Sequence, residues 1–245
     1  MKKGIVVIPA RYKSSRFPGK PLAILDGKPL VKHVYDLCVQ AVGKDKTFIA
    51  TDAQEIQEVV KEFGGNCIMT SESNLTGTDR IAEVARKLKY DFYINVQGDE
   101  PFINHEDIKA IFSIMENDDS NVLNCYCEIR SDEMNDYSVP KVVFSDKNDL
   151  IYISRGDIPF NKNGMGSPKY KQVCIYGFNH QHLREFSNCK SKMFIEANED
   201  IEIIRFLELG IKVKMVKVKN VSIAVDTPED LIIAEKFIKS INEEN

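Results

Sequence analysis

The sequence lacks the features that would place the chain in a membrane, on nucleic acid or around structural zinc. No segment reaches the run of about 20 apolar residues that a membrane-spanning helix requires. The net charge is −4, from 33 basic and 37 acidic residues, so the chain has no general attraction for nucleic acid. None of the six cysteines belongs to a CxxC pair, which argues against structural zinc. We therefore expect no stable membrane association and no nucleic-acid partner.

The composition is that of a folded protein from a reducing compartment. Apolar residues make up 43% of the chain and charged residues 29%, and 245 residues permit one large domain or two small ones. Unpaired cysteines are typical of reduced thiols that pack as small apolar groups. This pattern predicts a cytoplasmic location.

The order of the predicted elements indicates an α/β fold. The segments that predict strands in the first half are residues 5–8, 46–52, 67–69 and 92–96, and those that predict helices are 30–42, 54–63 and 81–88. Alternation of this kind favours a parallel sheet with right-handed crossovers. The later segments that predict strands are 122–129, 141–145, 150–154, 173–178 and 211–218, with a helix at 201–209. Turns between several of these strands indicate antiparallel additions to one edge.

A basic loop follows the first predicted strand. Residues 9–21 carry Arg11, Lys13, Arg16 and Lys20 without any acidic residue, and the prolines of this loop disfavour a helix. Ligands of open α/β sheets bind beyond the carboxyl ends of the strands, and arginine and lysine bind phosphate oxygens. The loop therefore predicts a polyphosphate site, although the GxxxxGK[ST] pattern of a Walker A loop is missing. An ordinary basic surface loop is the alternative.

Two aspartates follow apolar strands that lie far apart in the sequence. Asp99 comes soon after the strand at 92–96, and Asp226 directly follows a predicted strand at 221–225. Thr227 can cap the next helix, so the carboxylate of Asp226 is not needed for capping. Two such carboxylates suit Mg²⁺, which accepts few protein oxygens and leaves room for phosphate. We expect both to bind one cation; solvated acidic turns are the alternative.

Two further segments offer polar groups at helix starts. Thr78 and Arg80 precede the helix at 81–88 and could hold an anion or a base edge, whereas capping alone would explain Thr78 and Asp79. Asp52 follows the second strand, and we interpret it first as a helix cap and only second as a site residue.

Short segments in a fixed order together resemble the 3-deoxy-manno-octulosonate (Kdo) cytidylyltransferases, also called CMP-Kdo synthetases. They are residues 8–22 (IPARYKSSRFPGKPL), 50–52 (ATD), 77–80 (GTDR), 95–101 (NVQGDEP), 154–155 (SR) with 158–159 (IP), 175–177 (IYG) and 225–231 (VDTPEDL). Each piece alone is weak, but their combination is specific and covers nearly the whole chain.

The resemblance implies a Rossmann-like fold of the nucleotide-diphospho-sugar transferase type. In that fold a mixed, mainly parallel sheet is flanked by helices and carries a small antiparallel dimerisation extension. It implies one domain over 1–245, with the nucleotide-binding core at about 1–120 and 190–245 and a sugar-binding and dimerisation extension at about 121–189. The implied reaction joins CTP to a 3-deoxy-2-ulosonic acid with Mg²⁺ and releases pyrophosphate, in a homodimer that makes precursors of lipopolysaccharide or capsule.

The resemblance also implies a role for individual residues. Those implied in catalysis are Lys20, Asp99 and Asp226, of which the two aspartates bind the metal. Those implied in nucleotide binding are Pro9, Ala10, Arg11, Lys20, Gly77, Thr78, Arg80, Gln97 and Asp99. Those implied in sugar binding are Gln97, Arg155, Gln172, Tyr176, Glu199 and Glu202. For the two glutamates, a solvated helix face is an equally good interpretation.

One departure from the family pattern concerns the sugar. Gln172-Val173-Cys174 stands where the family has His-Leu-Gly. Glutamine keeps a donor and an acceptor but has no titratable proton. Kdo, its 8-amino analogue and another ulosonic acid therefore remain open as substrates.

Two other protein classes compete with this interpretation. A metal-dependent glycosyltransferase would share the fold but carry Asp-x-Asp, where this chain has Gly98-Asp99-Glu100. A non-catalytic nucleotide-binding protein would bind CTP without releasing pyrophosphate. A pyrophosphate-release assay separates both from a cytidylyltransferase.

Overall fold

The computed structural model describes residues 1–14, 16–163, 169–219 and 224–243. The strands found there are β1 (Gly4–Ala10), β2 (Ile24–Leu25), β3 (Lys28–Pro29), β4 (Thr47–Thr51), β5 (Cys67–Met69), β6 (Phe92–Val96), β7 (Val122–Glu128), β8 (Lys141–Phe144), β9 (Leu150–Ser154), β10 (Tyr170–Asn179) and β11 (Val213–Lys217). The α-helices are α1 (Leu30–Val42), α2 (Gln54–Glu62), α3 (Gly77–Lys87), α4 (His105–Asn117), α5 (His180–Ser187), α6 (Phe194–Glu199), α7 (Ile204–Glu208) and α8 (Pro228–Glu243).

Nine of these strands form one mixed sheet. Its main order is β11-β7-β10-β6-β1-β4-β5, while β8 pairs with β10 and with β9. Strand β1 is parallel to β4 and β6, β4 is parallel to β5, and β11 is parallel to β7. Strand β10 is antiparallel to both of its main neighbours. The predicted α/β fold, with a mainly parallel sheet and antiparallel additions, is confirmed.

The core lies on both faces of this sheet. Along β1, Val6 and Ile8 belong to one buried cluster, and Ile5 and Val7 belong to the other. The first cluster includes side chains from α1, α2 and α4, and the second includes side chains from α3, α5 and α7. Because successive side chains of a strand point to opposite faces, a strand covered on both sides is apolar throughout. The uninterrupted apolar run near the N-terminus is the sequence signature of that position.

Several predicted boundaries agree with the structure, and two helices near the C-terminal part of the sheet differ from expectation. Helix α1 and strands β5 and β9 begin and end where the sequence predicts. The helix expected at 201–209 is found as the shorter α7, Ile204–Glu208, and a separate helix that the sequence did not predict, α6, precedes it. Asp200 ends α6 in a left-handed conformation with φ of 52°, so the helix cannot run on. Residues 221–223 of the strand expected at 221–225 lie outside the described ranges.

Two predicted helix caps are also corrected. Asp52 is not a cap: Ala53 holds that position before α2, and the Asp52 carboxylate accepts a 2.8 Å bond from Arg80 Nη2. At α3 the cap is Thr76 rather than Thr78, since Thr76 and Asp79 form the reciprocal capping box. Thr78 is instead buried in the first turn.

Within the described residues, no helix is long and apolar enough to cross a bilayer.

The fully buried side chain of Arg205 connects three helices. The Arg205 guanidinium contacts Glu196 through two bonds of 2.6 Å and Asp79 Oδ1 at 2.8 Å. It also stacks on Phe186, with its central carbon 3.8 Å from the ring centroid. Asp79 belongs to the α3 cap, Glu196 to α6 and Arg205 to α7, so this cluster fixes the start of α3 against α6 and α7.

Removing the arginine should destabilise the fold strongly. We expect Arg205→Met to lower the free energy of unfolding by about 3–5 kcal/mol, because Glu196 would be left as a buried, uncompensated charge. Chemical denaturation measures the change. Lys217→Met is the control, because Lys217 pairs with Glu128 at the exposed surface and its loss should leave stability nearly unchanged. Equal effects of the two substitutions would contradict the assignment.

Candidate active site

A cleft of about 990 Å³ opens where β1 and β6 end. Ala10 at the end of β1 and Gln97 just beyond β6 both line it. All residues that the sequence assigns to the site line this cleft except Thr78 and Glu199. The carboxyl ends of the parallel strands thus gather side chains that are distant in the sequence, as expected for this fold class.

The ammonium group of Lys20 lies between the two aspartates. Lys20 Nζ is 2.7 Å from Asp99 Oδ2 and 3.0 Å from Asp226 Oδ1. Gly19 precedes it with φ of 72°, a left-handed conformation that glycine adopts without strain and that starts the short 3₁₀ turn Lys20–Leu22. The basic loop therefore returns one cation to the two acids, which lie close together at the strand ends. Their binding of a shared metal ion stays a prediction.

Electrostatics stabilise the charged forms of this cluster. Burial alone would lower the pKa of Lys20, but attraction to Asp99 and Asp226 and its bonds to them outweigh burial and raise that pKa. Burial alone would raise the pKa of Asp226, yet Lys20 and Arg16 together bring that pKa below its ordinary value. Arg16 Nη2 lies 3.1 Å from Asp226 Oδ2. The sequence placed Arg16 in the basic loop but assigned it no partner.

Backbone contacts hold the two acidic segments together. The Val225 N–H donates a 2.8 Å hydrogen bond to the carbonyl of Asp99. Next to it, Thr227 and Asp230 form the predicted capping pattern at the start of α8. Asp226 takes no part through its carboxylate, which stays directed at Lys20 and Arg16. The carboxylate that is not needed for capping is therefore the one available to a ligand.

Gly98 allows the acidic loop to approach the basic one. A Cβ at this position would lie 3.1 Å from the carbonyl oxygen of Pro9 and 3.4 Å from a methyl of Ile8. The contact with Pro9 is tight and involves the backbone, so a side chain here would require the loop to shift, whereas the contact with Ile8 is an ordinary van der Waals one. Glycine thus brings Asp99 close to the strand that begins the basic loop.

The paired carboxylates suit a hard divalent cation. Among the described residues no group of three or more His, Cys, Asp or Glu side chains could hold a metal. Two carboxylate oxygens that already converge on one positive charge can supply part of an oxygen coordination shell, and a ligand or water must supply the remainder. The donor set fits a cation that is shared with a phosphate-bearing substrate.

Glu202 orients the polar groups at the start of α3. Its carboxylate accepts 2.9 Å bonds from the backbone N–H of Thr78 and from Gln97 Nε2, and a longer one from Asn95 Nδ2. Burial raises the pKa of Glu202 by disfavouring its charged form. Because the amide nitrogen of Gln97 is bound to Glu202, its carbonyl oxygen is left for a ligand. The interpretation of Glu202 as a solvated helix face is wrong.

Arg80 is largely committed to the protein. Only 3% of the residue is exposed, and its guanidinium binds Asp52 and the hydroxyl of Thr70. It still forms part of the cleft wall. Its predicted role in nucleotide binding would be exercised from this fixed position.

Arg155 and Glu199 brace the far wall of the cleft. The Arg155 guanidinium donates to backbone carbonyls of Glu199, Tyr137, Ser138 and Asp200. The Glu199 carboxylate accepts from the Ser154 hydroxyl at 2.6 Å and from the Arg155 backbone N–H at 2.9 Å. Burial would raise the pKa of Glu199, but these hydrogen bonds lower it. Both side chains connect β9 to α6 in this arrangement.

Gln172 is oriented by a buried polar network. Its Nε2 donates to Asn124 Oδ1 at 3.1 Å and to the Tyr176 hydroxyl at 3.2 Å. Asn124 in turn donates its own amide to the Val173 carbonyl, so its oxygen must accept. The carbonyl oxygen of Gln172 is therefore the group left for the cleft, which both Gln172 and Tyr176 line.

Sequence reasoning missed several charged residues of the cleft, three of which contact one another. Lys171 and Glu133 form a buried ion pair, and Arg130 contacts the same carboxylate at 3.3 Å. All three line the cleft. Lys171 precedes the strand predicted at 173–178, so nothing in the sequence indicated that it would be buried in β10 and need a partner. Glu133 and Arg130 lie in an irregular segment and had no such signal either.

Paired acids opposite a basic loop, at the strand ends of an α/β sheet, define a nucleotidyltransferase cleft. Residues 5–221 match the family described as Cytidylyltransferase. The 3-deoxy-manno-octulosonate cytidylyltransferase of Thermodesulfovibrio yellowstonii is 40% identical over 251 residues, which cover 96% of this chain and 98% of that protein. The 8-amino-3,8-dideoxy-manno-octulosonate cytidylyltransferase of Shewanella pealeana is 38% identical, with 94% and 96% covered. The chain belongs to the 3-deoxy-manno-octulosonate cytidylyltransferase family.

A solved structure agrees over the same extent. A CMP:2-keto-3-deoxy-manno-octonic acid synthetase complexed with CTP superposes with a TM-score of 0.89 at 35% identity, covering 97% of this chain and 99% of that one. A putative glucose-1-phosphate thymidylyltransferase from Bacillus anthracis, at 15% identity and a TM-score of 0.69, shares the fold alone. The predicted family and fold class are both confirmed.

Replacing Glu202 by glutamine should disturb the hydrogen bonds that orient Gln97 and the start of α3. In Glu202→Gln the new NH₂ group must face a donor, either Thr78 N–H or Gln97 Nε2, so one hydrogen bond is lost. We expect unfolding free energy to fall by about 1–3 kcal/mol and CTP binding to weaken. Calorimetric titration with CTP and chemical denaturation measure both. Glu62→Gln, at the exposed end of α2, is the control; unchanged CTP affinity in Glu202→Gln would contradict the role.

Proposed function

We propose that this chain transfers CMP from CTP to the anomeric hydroxyl of a 3-deoxy-2-ulosonic acid, Kdo or a close analogue, and releases pyrophosphate. The proposal rests on the convergence of Asp99 and Asp226 on Lys20, at the end of the basic loop. The relatives' names and the CTP complex of the similar structure support the same substrates.

Different residues of the cleft would assist different parts of an in-line displacement at phosphorus. Asp99 and Asp226 would hold Mg²⁺, which when bound neutralises phosphate charge and acidifies a nearby hydroxyl. Lys20 and the cleft-lining Arg11 and Arg16 bind the triphosphate and offset the charge that develops on the departing pyrophosphate. The attacking hydroxyl and the α-phosphorus need to be held in line, because positioning supplies much of the rate.

The far end of the cleft receives the sugar. Gln97 and Gln172 each offer a carbonyl oxygen there, which suits a donor such as a sugar hydroxyl. Arg130 and Lys171 line this part of the cleft, and either could exchange its present acidic partner for the carboxylate of an ulosonic acid. An 8-amino sugar is the second candidate, since the Shewanella relative is named for one and an acceptor at Gln172 also suits an ammonium group.

We also propose where in the cell the chain acts, which pathway uses its product and how the chain assembles. All six cysteines are free, which supports a cytoplasmic enzyme. The product would be a precursor of lipopolysaccharide or capsule. We propose a homodimer formed through the extension at about 121–189, where Tyr137, Ile151 and Phe160 are 75%, 62% and 86% exposed. Exposed apolar side chains of this kind favour association.

Pyrophosphate release tests the function. The purified chain with Mg²⁺ should release pyrophosphate from CTP far faster than from UTP, ATP or GTP, and only when Kdo or 8-amino-Kdo is present. A preference between the two sugars identifies the substrate. Transfer of a sugar without pyrophosphate would indicate a glycosyltransferase, and CTP binding without turnover would indicate a regulator.

The aspartates supply the matched control for that assay. Asp99→Asn and Asp226→Asn keep the side-chain shape but remove the charge, so turnover should fall by about 100-fold or more while the unfolding transition stays cooperative. Near-normal kinetics of either variant at saturating Mg²⁺ would contradict the metal assignment.

A charged residue in the extension should separate the dimer. Ile151→Glu places a carboxylate in the proposed apolar contact, so sedimentation should shift toward the monomer. Ile24→Glu is the control, because Ile24 is similarly exposed at 54% but lies outside the extension. A monomeric parent chain, or an equal effect of the two substitutions, would contradict this interface.

A further inference from the structure

Lys20 lies between the two aspartates that would hold a shared metal ion. Its Nζ bonds to one oxygen of each carboxylate, and its side chain is only 15% exposed. Asp226 has a further cation in Arg16, but Arg16 reaches the other oxygen of that carboxylate and is 58% exposed. The lysine is thus the group that bridges the pair.

The bridge has two physical consequences. The carboxylates of Asp99 and Asp226 would repel each other at this short separation. The Lys20 ammonium between them offsets that repulsion and holds the two groups together. A divalent cation held by both acids would draw on the same two carboxylates, each of which already has one oxygen bound to Lys20 Nζ. The ammonium and the metal cannot share them at contact distance, because like charges in a partly buried site repel strongly.

Lys20 has another partner available within the same cleft. It stands at the end of the basic loop, on a four-carbon stem whose ammonium can turn toward a new anion. A triphosphate bound by that loop offers such an anion. Moving the ammonium from the carboxylates to phosphate would free both acids, so nucleotide binding and metal binding favour each other.

We propose that Lys20 is a built-in counter-ion that competes with the divalent metal for Asp99 and Asp226, so that the chain binds the metal weakly until a nucleotide draws the lysine away. This inference rests on the proposed use of both aspartates by the metal. It gives Lys20 a positioning role in addition to its contact with phosphate.

Binding of Mn²⁺ alone, without nucleotide or sugar, tests the proposal. Free Mn²⁺ is counted by electron paramagnetic resonance in titrations of the parent chain and of Lys20→Met. We expect Lys20→Met to bind Mn²⁺ about tenfold more tightly or better, within the usual range of coupling between sites. Lys20→Arg keeps the charge and should stay close to the parent chain. Unchanged or weaker binding by Lys20→Met overturns the proposal.

A second charge-removing variant controls for general electrostatics. Lys13→Met removes one positive charge from the same loop, but Lys13 is exposed and pairs with Glu72 instead. Its Mn²⁺ affinity should not change; a gain equal to that of Lys20→Met also overturns the proposal. In the double variant Lys20→Met with Asp226→Asn the gain should disappear, because the second carboxylate is lost.

Thermal unfolding gives a second readout that a folding defect does not imitate. Without metal, Lys20→Met should melt below the parent chain because its carboxylates are less well compensated, and Mn²⁺ should raise its melting temperature more than that of the parent. An equal Mn²⁺ effect on both proteins contradicts competition. These readouts need no turnover, so they separate failure of this inference from failure of the proposed reaction.

Discussion

One ammonium group shared by two carboxylates determines how the cleft is assembled. Asp99 and Asp226 are separated by about half of the chain, yet both contact Lys20 Nζ. Two carboxylates repel each other unless a positive group lies between them. The loop after β1 therefore has to bring Lys20 to the strand ends where the aspartates lie. The close approach at Gly98 and the backbone bond from Val225 to Asp99 serve the same end.

The features that could be predicted from the sequence are those with local signatures. The apolar runs of β1 and β6 predicted buried strands, and the spacing of Leu30–Val42 predicted α1. The leftover carboxylate of Asp226 was visible because Thr227 and Asp230 already explain the start of α8. Each of these inferences needs only neighbouring residues and the rule that parallel strands end on one side of the sheet.

What could not be predicted depends on contacts between distant residues. Nothing near Asp52 indicates that its carboxylate binds Arg80 rather than a helix end. Glu202 looked like one of several acids on a solvated helix, but it lies behind Gln97 and fixes the amide of that residue. Arg205 and Glu196 lie on two separate helices and pair fully buried, which no periodicity reveals. In each case a buried partner decides between capping, exposure and pairing.

Strand β10 has a consequence for how the cleft can change over evolutionary time. Its first half carries Gln172 at the wall of the cleft, while its second half pairs with β6, the strand that leads to Asp99. The register against β7 shifts between Val173 and Tyr176, so the two halves are joined by an irregularity rather than by one continuous ladder. Substitutions in the first half can therefore change the wall of the cleft beside Gln172 while the second half keeps its register with β6. One strand thus allows one end of the cleft to vary during evolution while the end beside Asp99 stays in place.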